Sequence, residues 1–106
     1  MSSNYTVAAI DCGTNSIRLL IASAGPDGRL VEQARDLELV RLGQGVDATG
    51  SFHPDALERT FSACRTFAKT ISDHHCDQVR FVSTSAARDV SNRDDFFTGV
   101  RDALDV

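Results

Sequence analysis

No stretch of this 106-residue chain is apolar for long enough to cross a bilayer, and Met1 to Thr6 lack the charged and apolar regions of a secretory leader. An excess of basic residues is also missing. Eleven Lys and Arg stand against 15 Asp and Glu, a net charge of −4, which argues against a nucleic-acid backbone as the main ligand. The three cysteines, Cys12, Cys64 and Cys76, lie far apart without paired spacing, so neither a disulfide framework nor a zinc motif is expected. A reducing cytoplasm is the compartment they suit. There is no internal repeat and no low-complexity tract. What is present is 42% apolar and 25% charged, the composition of a soluble globular protein of one domain or part of one.

The pattern along the chain predicts α/β architecture. Thr6 to Asp11 and Ser16 to Ala24 read as short apolar strands, and Gly25-Pro26-Asp27-Gly28 is strong turn chemistry. Leu30 to Leu42 reads as a third strand, solvated at its beginning. Connections this short cannot be crossovers, so the three strands form an antiparallel meander. Gly43 to Ser51 is glycine-rich and aperiodic, hence a loop, either a lid near a ligand or, the favoured reading, a surface connector. From Pro54 the period changes. Leu57, Phe61, Cys64, Ala68 and Ile71 recur at spacings of three and four, the stripe of an amphipathic helix. It starts after Ser51 or His53 and ends near His74 and His75, where imidazoles suit the negative end of the helix dipole. The run His74-His75-Cys76-Asp77 holds four metal-ligand types, but adjacent residues cannot all face one ion, so it reads as that helix end. Gln78 to Ser85 supplies a fourth strand, parallel to an earlier one because a helix precedes it. Arg93 to Leu104 closes the chain as a helix with Phe96, Phe97, Val100 and Leu104 on one side. A sheet so built has one face covered and an edge without a partner, which suggests that Val106 is not a natural domain end.

One decapeptide carries most of the chemistry: Ile10-Asp11-Cys12-Gly13-Thr14-Asn15-Ser16-Ile17-Arg18-Leu19. A strand enters it and another leaves it. Between them stand a carboxylate, a glycine, three small polar side chains and then an arginine. Glycine tolerates positive φ and close approach of a ligand to the main chain. Hydroxyls, an amide and exposed N–H groups suit phosphate oxygens. Asp11 would repel a bare phosphate, so a metal ion or polarised water is expected between them. The rival reading is a polar hairpin whose Asp and Asn only shape the turn. Arg18 is either a phosphate contact or a solvated strand residue. Arg88, just past a strand's carboxyl end, is either a ligand contact or the partner of Asp89 or Asp94. Arg41 is a weaker candidate at a sheet end, and Cys12 reads as a small side chain packed beneath the turn.

Three stretches in order, 11–19, Val40-Arg41-Leu42-Gly43-Gln44-Gly45 and Ser83-Thr84-Ser85-Ala86-Ala87-Arg88-Asp89-Val90-Ser91-Asn92, resemble the exopolyphosphatase and guanosine-pentaphosphate phosphohydrolase family. That family belongs to the superfamily of actin, sugar kinases and heat-shock chaperones. The resemblance covers nearly all of this chain but only the start of the family's length. It implies a ribonuclease-H-like lobe, with residues 1–106 as the first part of the amino-terminal one and no second domain. It also implies hydrolysis of terminal phosphate from inorganic polyphosphate, or of the 5′ phosphate of guanosine pentaphosphate, assisted by Mg2+. In that picture Asp11 is catalytic and positions the metal. Gly13, Thr14, Asn15, Ser16 and Arg18 bind phosphate, and Arg88 adds positive charge as a second catalytic residue.

The family's water-activating glutamate and its second phosphate loop have no counterpart here. Since positioning is most of phosphoryl-transfer catalysis, the resemblance implies weak turnover or none from this chain alone. Two alternatives remain at this stage: a phosphotransferase of the same superfamily, and a non-catalytic phosphate-binding fragment that dimerises across its exposed edge. Neither nucleic acid nor a membrane is an expected partner.

Overall fold

A computed structural model describes residues 5–83 and 89–106. Its elements are β1 (Tyr5–Cys12), β2 (Ser16–Ala24), β3 (Leu30–Leu39), α1 (Val46–Thr49), α2 (Pro54–Asp73), β4 (Gln78–Ser83) and α3 (Arg93–Leu104). The sheet order is β3-β2-β1-β4. β1 and β2 pair antiparallel, as do β2 and β3, while β4 lies parallel to β1. The expected meander, helix, parallel strand and helix are therefore present.

Strand alternation decides what each face of the sheet does. Ala8, Ile10 and Cys12 of β1 and Ile17, Leu19 and Ile21 of β2 are all buried, and share one core with Phe67, Phe96 and Val100 of the helices. The opposite face carries Ala9, Asp11, Arg18, Leu20, Leu37 and Val82 and is open. Asp11 and Arg18 thus project away from the helices, as register partners across β1 and β2.

Helix α2 begins on His53, whose ring accepts from the Asp55 N–H at 3.0 Å, with Pro54 in the first turn where its missing N–H costs nothing. It ends on His74, whose ring nitrogen meets the Thr70 carbonyl at 2.9 Å. Asp77 then pins the start of β1 in both directions. Its carboxylate accepts from the Thr6 N–H at 2.7 Å, and its own N–H donates to the Thr6 carbonyl at 2.7 Å. The His74–Asp77 run is a helix end and a strand clamp.

Several expectations need correction. β3 stops at Leu39 rather than Leu42, because Val40 and Arg41 turn their N–H groups onto the β1–β2 loop. The strand is solvated along its whole length, not only at its start. It also carries a bulge opposite Ile21 and Ala22, where Gln33 is skipped in the register. The loop after β3 contains the four-residue helix α1, bounded by Gly45 and Gly50 at φ 72° and 70°. On α2 the deepest positions are Ala56, Thr60, Ala63, Cys64 and Phe67; of the predicted stripe Cys64 is among them, while Leu57, Phe61, Ala68 and Ile71 pack half-buried at the edge of the core. Small residues win there because α2 must approach both the sheet and α3. At that crossing a Cβ on Gly99 would run into the Phe61 ring, so only glycine fits the packing as it is. The fourth strand is described to Ser83, and the expected extension to Ser85 lies outside the described residues.

Candidate functional site

β1 and β2 are joined by a tight hairpin with Thr14 and Asn15 at its tip. It is closed by the Gly13 N–H donating to the Ser16 carbonyl at 2.9 Å. The tip does not stand alone. Its two carbonyls are held by the segment after β3: the Thr14 carbonyl accepts from the Gly43 N–H at 2.8 Å, and the Asn15 carbonyl accepts from the N–H groups of Val40 and Arg41 at 3.0 and 2.9 Å. Among the described residues, the N–H groups of Thr14 and Asn15 and their side chains have no hydrogen-bond partner. Anchored carbonyls with free donors is the polarity an anion needs.

Glycine's role differs from the expectation. Positive φ occurs at Gly28, Gly45 and Gly50, and Gly13 is not among them. The left-handed position beside the tip is Arg41, at φ 50°. A non-glycine residue there costs about 1 kcal/mol or more, and persists only where its surroundings hold it.

The tip opens into a recess of about 840 Å3 that Thr14, Asn15, Arg41, Gln44, Asp47 and Asp89 help to line. Among the described residues its charged lining is one guanidinium against two carboxylates, so these residues alone do not balance a polyanion. Asp11 and Arg18 lie elsewhere, on the open sheet face, in a separate recess of about 370 Å3 together with Arg35, Asp36 and the apolar floor of Ala9 and Leu37. Neither Asp11 nor Arg18 forms an ion pair among the described residues. The predicted residues therefore fall into two groups on either side of one hairpin. Thr14 and Asn15 face the first recess, and Asp11 and Arg18 the second. Gly13 and Ser16 close the turn between them. Arg88 lies outside the described residues, as do residues 84–87 of the third resembling stretch.

The donor set bears on a metal. Among the described residues no cluster of three or more His, Cys, Asp or Glu side chains could hold an ion. Mg2+ keeps several waters and is commonly bound through one or two carboxylates and the substrate's phosphates. An exposed Asp11 with no ion-pair partner among the described residues fits that shared mode and does not fit an all-protein cage.

Cys12, in the middle of the decapeptide, points into the core. Burial, the neighbouring Cys64 and then Asp11 push its thiol up to about 12, and burial lifts Cys64 to about 11. Both stay protonated at neutral pH, which removes them as nucleophiles. Iodoacetamide at about pH 8 is expected to leave Cys12 and Cys64 unmodified in the folded protein and to label both after denaturation. The linkage sign follows from a folded value raised above the unfolded 9.0. The contribution to stability is complete below pH 9 and is lost as pH rises toward 12, at up to about 1.4 kcal/mol per pH unit. Melting points followed from pH 8 upward should fall, and less steeply in Cys12→Ala.

Arg59 and Gln44 bear on this site; Gln44 lies in the resembling stretch 40–45 without an assigned role, and Arg59 carries no motif that would reveal it. Arg59 sits on α2, where an isolated helix arginine reads as a solvated charge. Its Nε instead donates to the Val40 carbonyl at 2.9 Å and its Nη2 to Gln44 Oε1 at 2.5 Å.

The Ppx/GppA phosphatase family model matches residues 21–106. The chain is 56% identical over 101 residues to exopolyphosphatase 2 of Mycobacterium tuberculosis, a match covering 92% of this chain and 32% of that protein. The crystal structure of the Aquifex aeolicus Ppx/GppA family member superposes with a TM-score of 0.92 at 30% identity, over 98% of this chain and 34% of that one. An exopolyphosphatase-like protein of known structure superposes at 0.89 with 50% identity, over 97% and 31% of the two chains. The chain spans about a third of the length of these proteins.

Proposed function

Because this chain belongs to the Ppx/GppA phosphatase family, we propose that it supplies the first phosphate-binding loop, and part of the amino-terminal ribonuclease-H-like lobe, of an exopolyphosphatase. The reaction is hydrolysis of the terminal phosphoanhydride of inorganic polyphosphate, with guanosine pentaphosphate as a second substrate class. The observation that carries this reading is the hairpin tip, with its carbonyls tied back by Val40, Arg41 and Gly43 and the donors of Thr14 and Asn15 left open toward a recess.

In this account the N–H groups of Thr14 and Asn15, with the Thr14 hydroxyl and the Asn15 amide, donate to the oxygens of the terminal phosphates. Arg18 contributes countercharge from the other side of the hairpin, and a planar guanidinium can do so through two parallel hydrogen bonds. Asp11 would hold Mg2+, the phosphates completing its surroundings. The metal supplies charge neutralisation on oxygens that become more negative during transfer. Arg88 adds a further positive charge. None of the residues assigned a role here is a base for the attacking water, so the role proposed for residues 1–106 is to bind and orient the phosphates. Three free cysteines suit a reducing, cytoplasmic setting. Among the described residues no helix is long and apolar enough to span a membrane.

The test pairs retention with turnover. Sodium polyphosphate and MgCl2 are added to the protein, and bound polymer and released phosphate are both measured. The expected result is saturable retention with little or no release. Asn15→Ala should weaken retention about tenfold, the effect of losing one charge-assisted hydrogen bond. Unchanged retention in Asn15→Ala would remove the hairpin from the account. Turnover at the rate of an intact family member would overturn the proposal that residues 1–106 bind and orient without completing catalysis.

A further inference from the structure

Arg59 lies 44 residues beyond Asn15 and hydrogen-bonds neither recess-facing tip residue directly, yet one continuous hydrogen-bond path joins it to Asn15. The path runs through a single peptide unit. The Val40 carbonyl accepts from Arg59 Nε at 2.9 Å, and the N–H of the same peptide plane, that of Arg41, donates to the Asn15 carbonyl at 2.9 Å. A peptide group engaged at both ends is polarised by each bond, which strengthens the other. Arg59 Nη2 adds Gln44 Oε1 at 2.5 Å and, at the outer limit of 3.5 Å, the Arg41 carbonyl. The guanidinium therefore gathers three acceptors from residues 40, 41 and 44. Between them, Arg41 is held at φ 50° and Gly43 delivers its N–H to the Thr14 carbonyl at 2.8 Å.

We propose that Arg59 is a positioning residue for the phosphate loop: by fixing the segment 40–44 it holds the carbonyls of Thr14 and Asn15 back and so aims the loop's donors into the recess. This rests on the reading of the hairpin tip as a phosphate site. The clamp itself is a separate matter of geometry and can be tested apart from it. Helix α2 is the rigid support, since it is anchored in the core through Ala63, Cys64 and Phe67. The segment after β3 is the adapter, and the hairpin tip is the part that is aimed. Lysine does not substitute, because an ammonium lacks the planar fork that addresses the Val40 carbonyl and Gln44 Oε1 together.

The experiment uses Arg59→Lys, which keeps the charge and the aliphatic stem on the helix, and Gln44→Ala, which removes one arm of the clamp from an exposed position. Two readouts are taken on each: amide hydrogen exchange at Arg41 and Gly43, and binding of linear polyphosphate with MgCl2. The expected result is faster exchange at both amides, and binding weakened about tenfold or more in Arg59→Lys, with an unchanged melting point. Gln44→Ala should show the same changes in smaller measure. A merely structural arginine would lower the melting point without a selective effect on these amides. Exchange at wild-type rates in Arg59→Lys would overturn the proposal. So would faster exchange with binding within twofold of wild type, because the clamp would then not aim the donors. If wild-type protein retains no polyphosphate while exchange still accelerates, the clamp stands and the reading of the tip as a phosphate site is what fails.

Discussion

Arg18→Glu is expected to weaken polyphosphate retention about 100-fold, a loss of about 2.7 kcal/mol. Arg18 is an exposed strand residue, the register partner of Asp11, and its guanidinium has no ion-pair partner among the described residues. Reversal removes a charge-assisted contact to phosphate and also sets a second carboxylate beside Asp11. The fold should hardly notice, because exposed substitutions away from caps and networks stay within about 0.5 kcal/mol. Arg18→Lys should fall between, near tenfold, since the charge survives and the planar fork does not. The measurement is equilibrium binding of polyphosphate with MgCl2 at two ionic strengths. The difference between wild type and Arg18→Glu should shrink at the higher one, because exposed charges are screened. Wild-type affinity in Arg18→Glu would show that the open-face recess takes no part in binding.

Phe96→Ala is expected to cost about 3–5 kcal/mol, a large share of the 5–15 kcal/mol that stabilises an ordinary domain. Phe96 is fully buried at the inner face of α3. Its ring centroid lies 5.1 Å from that of Phe52, 6.2 Å from Phe81 and 5.0 Å from Phe97, in tilted and edge-on geometries that favour aromatic pairs. These rings come from the segment before α2, from β4 and from α3. One deletion therefore loosens three parts of the chain at once. Thermal and urea denaturation should show the melting point dropping by about 15–30 °C. Phe96→Leu, which keeps most of the volume, should cost far less. A loss under about 1 kcal/mol in Phe96→Ala would mean that the aromatic cluster is not the centre of the core.

These two variants act on different parts of the molecule, and the sequence revealed those parts unequally. The strands, the long helix and the last helix were legible because period is a local property. The short apolar runs at 6–11 and 16–24, bounded by turn residues, and the three-and-four spacing from Pro54 are signals carried by residues within a few positions of each other. The short connections between the first three strands forced the meander. The decapeptide was legible for the same reason, since a carboxylate, a glycine and three small polar residues between two strands make a polar hairpin whatever surrounds it.

What could not be read was where elements end and which side chains and peptide groups touch once they meet. The end of β3 at Leu39 was set by the hairpin tip, which draws Val40 and Arg41 out of the ladder. The inner line of α2 was displaced from Leu57, Phe61 and Ile71 toward Ala56, Thr60 and Ala63 by the need to approach both a sheet and Gly99 of α3. Arg59 looked like any solvated arginine until the fold brought the Val40 carbonyl to its Nε.

By itself the order of residues determined the four strands, the two long helices, their sequence and the polar turn, because each depends on neighbours within a few positions. Only the tertiary structure decided that Asp11 and Arg18 face one side of the sheet while Thr14 and Asn15 open on another recess. It alone decided, too, that the tip's carbonyls are held from behind. The reason is physical: a hydrogen bond between residues far apart in the chain exists only after packing has closed the distance, and no local preference encodes its direction.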